Sequence, residues 1–281
     1  MAGIVDPLVS TAWLAEHLGD PTVRIVDATL PLVGQAGHGR DAYAAGHIPG
    51  AVFFDINAIA DTETDLPHML PMPSVFAEAA GALGLGRDTT IVVYDAHGIY
   101  SAPRVWWTLR VMGYLKVFVL DGGLKAWRAE GRPLATAETI PEAVEVEPVF
   151  DWRLVTDLTG VSEALANRSA QVVDARSAGR FRGEAPEPRA SLRRGHMPGA
   201  LNLPFNLVVA EDGTLKSRAE LAAAFAQVDL EQPIVTTCGS GVTASVLALA
   251  LARLGRLDVA VYDGSWTEWG GRPDTAVVTG A

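Results

Sequence analysis

Apolar and polar positions along the chain fall into two alternating patterns. Short runs of β-branched and aliphatic residues end at a small or polar side chain, as in RIVDA (24–28), TIVVYD (90–95), QVVDA (171–175) and PIVTTC (233–238). Between them lie longer stretches with helical spacing, such as SAPRVWWTLRVMG (101–113) and SRAELAAAFAQV (217–228). Strands that alternate with helices predict βαβ units and a mostly parallel sheet, an α/β fold. In such sheets ligands bind beyond the carboxyl ends of the strands.

The pattern occurs twice. RIVDA returns as QVVDA, GHIPGAVFFDI (46–56) as GHMPGALNLPF (195–205), and VFVLDGGLKAW (117–127) as VAVYDGSWTEW (259–269), while TIVVYDAHG (90–98) lies opposite PIVTTCGSG (233–241). These matches keep their order at offsets of 140 to 149 residues, which predicts two similar domains in tandem. The expected boundaries are a domain over 1–136, an Ala-, Pro- and Glu-rich linker over 137–152, and a domain over 153–281. Features common to both halves read as scaffold. His47 and His196, in the shared GHxPGA phrase, are expected to be structural, and the Asp-Gly pairs at 121–122 and 263–264 to be turns.

Composition narrows the function. The 281 residues hold 49% hydrophobic and 20% charged side chains, in keeping with a sizeable core. A net charge of −11 argues against a nucleic-acid or anionic-membrane binder. Residues 232–252 carry no charge and are long enough to span a bilayer, but Pro233, Gly239 and Gly241 interrupt them, so a buried strand, loop and helix is expected. The first residues, MAGIVDPLVSTAW, lack the basic region of a signal peptide, and a cytoplasmic location is the default expectation. No metal and no other cofactor is expected, because the six histidines and one cysteine show no ligand spacing.

The single cysteine is the candidate for chemistry. Cys238 ends a β-branched strand and is followed by Gly239 and Gly241, which allow a tight loop, and then by a helix that Thr243 could cap. Unpaired amides at such a helix start carry partial positive charge and favour a thiolate. The alternative is a small buried hydrophobe. Opposite Cys238 the first half has Asp95, so only the second half can hold a thiol site. A phosphatase loop would need arginine six residues on, where Ala244 stands. A cysteine protease would need a histidine base, and no local phrase selects His68, His97 or His196. A thiolate held by amides alone suits attack on sulfur.

The duplicated layout, the GHxPGA phrases, VFVLDGGLKAW, YDGSWTEW and above all CGSGVTA (238–244) resemble the rhodanese-like sulfurtransferases over nearly the whole chain. CGSGVT (238–243), together with GRFRG and PEPR (179–189), is similar to the branch whose sulfur donor is 3-mercaptopyruvate; thiosulfate-specific members carry basic side chains where Gly239 and Ser240 stand. The resemblance implies two tandem rhodanese-like domains, the first inactive. It implies a persulfide on Cys238, release of pyruvate, and transfer of the outer sulfur to a thiol such as thioredoxin or to cyanide. A thiosulfate:cyanide sulfurtransferase and a persulfide carrier for a protein partner remain as alternatives.

It also assigns residues. Gly239, Gly241, Val242 and Thr243 belong to the substrate loop with Cys238 and Ser240. Arg180 and Arg189 fall on substrate-binding arginines, and a guanidinium fork suits the carboxylate and carbonyl of a 2-oxo acid. His68 matches a histidine in a polar relay with Ser240, although Asn57 replaces the relay's acidic member. Arg176, Arg182, Arg193 and Arg194 are expected to form a solvated loop with salt bridges to Glu184 and Glu187. Trp106, Trp107, Trp266 and Trp269 are expected to be packing residues.

Overall fold

A computed structural model describes residues 6–280; the first five residues, the start of the stretch read for a leader, lie outside the described residues. The chain divides into two compact units. Among the described residues the first comprises 6–62, 70–151 and 209–215, and the second 63–69, 152–208 and 216–280.

In the first unit the strands are β1 (Leu8–Val9), β2 (Val23–Asp27), β3 (Ala51–Phe53), β4 (Thr90–Tyr94) and β5 (Val117–Leu120), in the order β1-β5-β4-β2-β3. The helices are α1 (Thr11–Glu16), α2 (Gly39–Ala45), α3 (Pro73–Ala82), α4 (Ala102–Val111) and α5 (Gly123–Ala129). The second unit repeats the plan with β6 (Val155–Thr156), β7 (Gln171–Asp174), β8 (Leu201–Asn202), β9 (Ile234–Thr237) and β10 (Ala260–Tyr262), in the order β6-β10-β9-β7-β8. Its helices are α6 (Leu158–Asn167), α7 (Ala178–Phe181), α8 (Arg218–Ala224), α9 (Val242–Arg253) and α10 (Ser265–Trp269). Every strand pair in both sheets is parallel. The central strands are buried, which accounts for their continuous β-branched runs.

The units match at the level of single hydrogen bonds. Ala28 N–H donates to the Tyr94 carbonyl and Ala175 N–H to the Thr237 carbonyl, both at 2.8 Å. Leu124 N–H donates to the Asp95 carbonyl and Trp266 N–H to the Cys238 carbonyl, both at 2.9 Å. Asp95 and Cys238 therefore occupy equivalent places, each one residue past a central strand. His47 stacks on Tyr43 and His196 on Phe181, with ring centroids 3.8 and 3.7 Å apart. The Nδ1 of each histidine hydrogen-bonds the carbonyl of the residue it stacks on, so both serve the scaffold.

Residues 141–150 contain no helix or strand. The segment's main chain bonds to the first unit, Val144 N–H to the Gly81 carbonyl and Val149 N–H to the Met112 carbonyl. The uncharged stretch 232–252 is β9, a loop and α9, and no helix among the described residues is long and apolar enough to cross a membrane. Apart from Thr243 and Arg253, every residue of α9 is buried, and Gly255 follows its last turn at φ +99°. Trp106, Trp107 and Trp266 are almost fully enclosed and Trp269 is 5% exposed, so all four pack.

Candidate active site

The site grows from the step between β9 and α9. Cys238 leaves the strand, and Gly241, at φ +79°, turns the chain into the helix. Only glycine takes that left-handed conformation at little cost. Gly241 is itself the cap, so Thr243 does not cap α9: it lies inside the first turn, where its hydroxyl is past the position that could serve the open amides. The N–H groups of Gly239, Ser240, Val242 and Thr243 donate to no protein atom among the described residues. These open amides gather partial positive charge at the head of a buried helix.

Two amides of the loop are used differently from the sequence expectation. Cys238 N–H (3.2 Å) and Gly241 N–H (3.1 Å) both donate to the Ser265 hydroxyl, which in turn donates to the Tyr262 carbonyl at 2.8 Å. Ser265 sits at φ +50°, an uncommon conformation for a residue with a side chain. Its repeat partner, Gly123, has φ +53°. Sequence reasoning missed Ser265; the Gly-to-Ser contrast between DGG (121–123) and DGS (263–265) was the available signal. Cys238 is 2% exposed, and its Sγ makes no hydrogen bond among the described residues.

At the equivalent strand end of the first unit, a longer loop leads to α4 and closes around a carboxylate. Asp95 Oδ2 accepts from the N–H groups of Tyr100, Ser101 and Ala102 at 2.8–2.9 Å, and Oδ1 accepts from His97 N–H at 2.9 Å. Burial raises the Asp95 carboxyl above the usual aspartate range, opposed by these amide bonds. In the first unit the main-chain donors at the strand end are thus satisfied by a side chain of the loop itself.

Arg180 lies against Gly239, and Arg189 is linked to it through Thr267. A Cβ placed on Gly239 would meet Arg180 Nη2 at 3.2 Å, so the guanidinium lies against the loop backbone. Arg189 Nη1 donates to Thr267 Oγ1 at 3.3 Å, and Thr267 donates its hydroxyl (2.6 Å) and its N–H (2.9 Å) to the Gly239 carbonyl. Thr267 is a second residue that sequence reasoning did not single out. Ser240 is half-buried in the loop. His68 lies in residues 63–69, which group with the second unit, and takes φ +65°. Asn57 is exposed in the first unit, its N–H bonded to Asp55 in a turn.

The other arginines part company. Arg182 pairs with Glu184 at the surface at 2.8 Å, and Arg194 is exposed. Arg176 is not solvated. It is enclosed, paired with Asp174 (2.6 Å) and Glu187 (2.9 Å), with its guanidinium 4.0 Å from the Trp266 ring centroid. A buried guanidinium needs such compensation on every side. Arg193 bonds the carbonyls of Trp269, Gly270 and Thr275 instead of a glutamate, because the chain end at 269–275 lies within reach of its fork.

The model of the rhodanese-like domain matches residues 10–130 and again 157–272. The 3-mercaptopyruvate sulfurtransferase of Escherichia coli K12 is 47% identical over 273 residues, covering 96% of each chain. The thiosulfate sulfurtransferase of Rattus norvegicus is 43% identical over 284 residues, covering 97% of this chain and 95% of its own. The crystal structure of SseA from Escherichia coli, a 3-mercaptopyruvate sulfotransferase with the rhodanese fold, superposes with a TM-score of 0.86 at 44% identity, over 93% of this chain and 99% of its own. The chain belongs to the rhodanese-like family, as a tandem pair of its domains.

Proposed function

We propose that this chain is a 3-mercaptopyruvate sulfurtransferase acting through a persulfide on Cys238. The observation that carries the reading is the meeting of three features at one strand end: the single cysteine, the open amides of Gly239, Ser240, Val242 and Thr243, and two guanidinium groups, that of Arg180 beside Gly239 and that of Arg189 on Thr267, which bonds the Gly239 carbonyl. The forks of Arg180 and Arg189 take the donor's carboxylate and carbonyl oxygen. The Cys238 thiolate attacks the donor sulfur, and an S–S bond forms as the C–S bond breaks. The electron pair of the C–S bond leaves as the enolate of pyruvate, which takes up a proton, and the open amides receive the outer sulfur. Ser240 and His68 are the proposed proton route. A thiol such as thioredoxin, or cyanide, then removes the outer sulfur and regenerates Cys238.

Similarity to both donor classes makes the donor the point to test. The neutral pair Gly239-Ser240 leaves the loop without a basic side chain, which favours the 2-oxo acid over thiosulfate. Steady-state kinetics with each donor, with pyruvate release followed alongside thiocyanate, should give the larger kcat/KM for 3-mercaptopyruvate. A larger value for thiosulfate would overturn the assignment of donor.

A further inference from the structure

We infer that Glu187 sets the charge of the donor that the site accepts, an inference that rests on the proposed roles of Arg180 and Arg189. Glu187 is buried between two arginines and gives one oxygen to each. Its Oε1 takes Arg176 Nη1 at 2.9 Å, and its Oε2 takes Arg180 Nε at 3.1 Å and Nη2 at 2.5 Å. Behind it, Arg176 is fixed by Asp174, by the Gly195 carbonyl at 2.9 Å and by the face of Trp266. Glu187 therefore holds Arg180 in one orientation, with Nη2 against Gly239.

The same contact decides the charge count. Asp174, Arg176, Glu187 and Arg180 form a connected cluster whose two negative and two positive groups cancel. Arg189 is different: it bonds the neutral Thr267 and has no carboxylate partner among the described residues. Of the two guanidinium groups beside the active loop, only one carries uncompensated charge. That matches a 2-oxo acid with one negative charge and mismatches thiosulfate with two. Arg180 supplies hydrogen-bonding direction, Arg189 supplies the charge, and Glu187 is the positioning residue that makes this division.

The test is the ratio of kcat/KM for thiosulfate to kcat/KM for 3-mercaptopyruvate, with cyanide as acceptor. Glu187→Gln removes one negative charge and should raise the ratio about tenfold, since the extra attraction acts on a dianion more than on a monoanion. Arg180→Gln removes one positive charge and should lower it by about the same factor. Glu187→Asp keeps the charge, and its ratio should stay near that of the unchanged protein. A merely structural role would depress both donors together and leave every ratio alone, and that result overturns the inference. So would a shift of the same sign in Glu187→Gln and Arg180→Gln. Thermal melts show which variants fold; if Glu187→Gln does not, the fall required of Arg180→Gln still decides. Failure of the underlying reading shows separately, as absence of thiocyanate from 3-mercaptopyruvate with the unchanged protein.

Discussion

The Ser265 hydroxyl lies 3.2 Å from the main-chain nitrogen of Cys238 and accepts its hydrogen bond. It also takes the Gly241 N–H, so one side chain pins both ends of the active loop. The first unit achieves the same order with the Asp95 carboxylate, and there Gly123 stands where Ser265 does. In the second unit Cys238 stands at that place, and the anchoring passes to the neighbouring turn.

Ser265→Ala leaves two buried N–H groups without an acceptor. It should destabilise the protein by about 1–3 kcal/mol in urea unfolding and lower kcat/KM by about tenfold or more. Ser265→Gly loses the same acceptor but relieves the left-handed backbone, so it should be more stable than Ser265→Ala by about 1 kcal/mol with equally poor kinetics. Equal stability of the two variants would show that the φ of +50° carries no strain.

Arg189→Lys keeps the charge and loses the planar fork. KM for 3-mercaptopyruvate should rise about tenfold with kcat little changed if, as proposed, the interaction serves binding. Steady-state kinetics that show no change in KM would remove Arg189 from the donor site.

Asp95 gives the first unit a pH signature. Burial raises its carboxyl above the usual aspartate range, so the folded chain holds this proton more tightly than the unfolded one. The resulting stabilisation is full below the unfolded value of about 3.9 and is lost as pH rises through the raised folded value. Asp95→Asn cannot titrate. It should be less stable than the unchanged protein, because its amide nitrogen opposes one of the four donors, and that deficit should narrow as pH rises. Urea unfolding over a pH series checks this, and a deficit that widens with pH contradicts it.

Much of this was legible in the sequence, and the rest was not, for physical reasons. The strands at 24–27, 90–94, 171–174 and 234–237 announce themselves because parallel strands buried on both faces need continuous β-branched runs. Repetition of RIVDA, GHIPGA and VFVLDGG marks the shared scaffold, and correctly places His47 and His196 in it. Position of a lone cysteine at a strand end is likewise a local feature. Arg176 is the contrary case. Its burial depends on Asp174 beside it, on Glu187, and on Trp266 far along the chain, and only the fold brings those together. Thr243 looked like a cap because glycine caps leave no side-chain signature to compete with it. Ser265 and Thr267 touch the loop through main-chain atoms of residues 238–241, a contact that no spacing rule expresses.

Transfer of sulfur to Cys238 is the central claim, and intact mass after brief incubation with 3-mercaptopyruvate, without acceptor, tests it most directly. The account predicts a protein heavier by one sulfur atom, located on Cys238 by fragmentation, with an equivalent of pyruvate released, and no addition to Cys238→Ser. An unmodified mass, or an added sulfur that persists in Cys238→Ser, would contradict it.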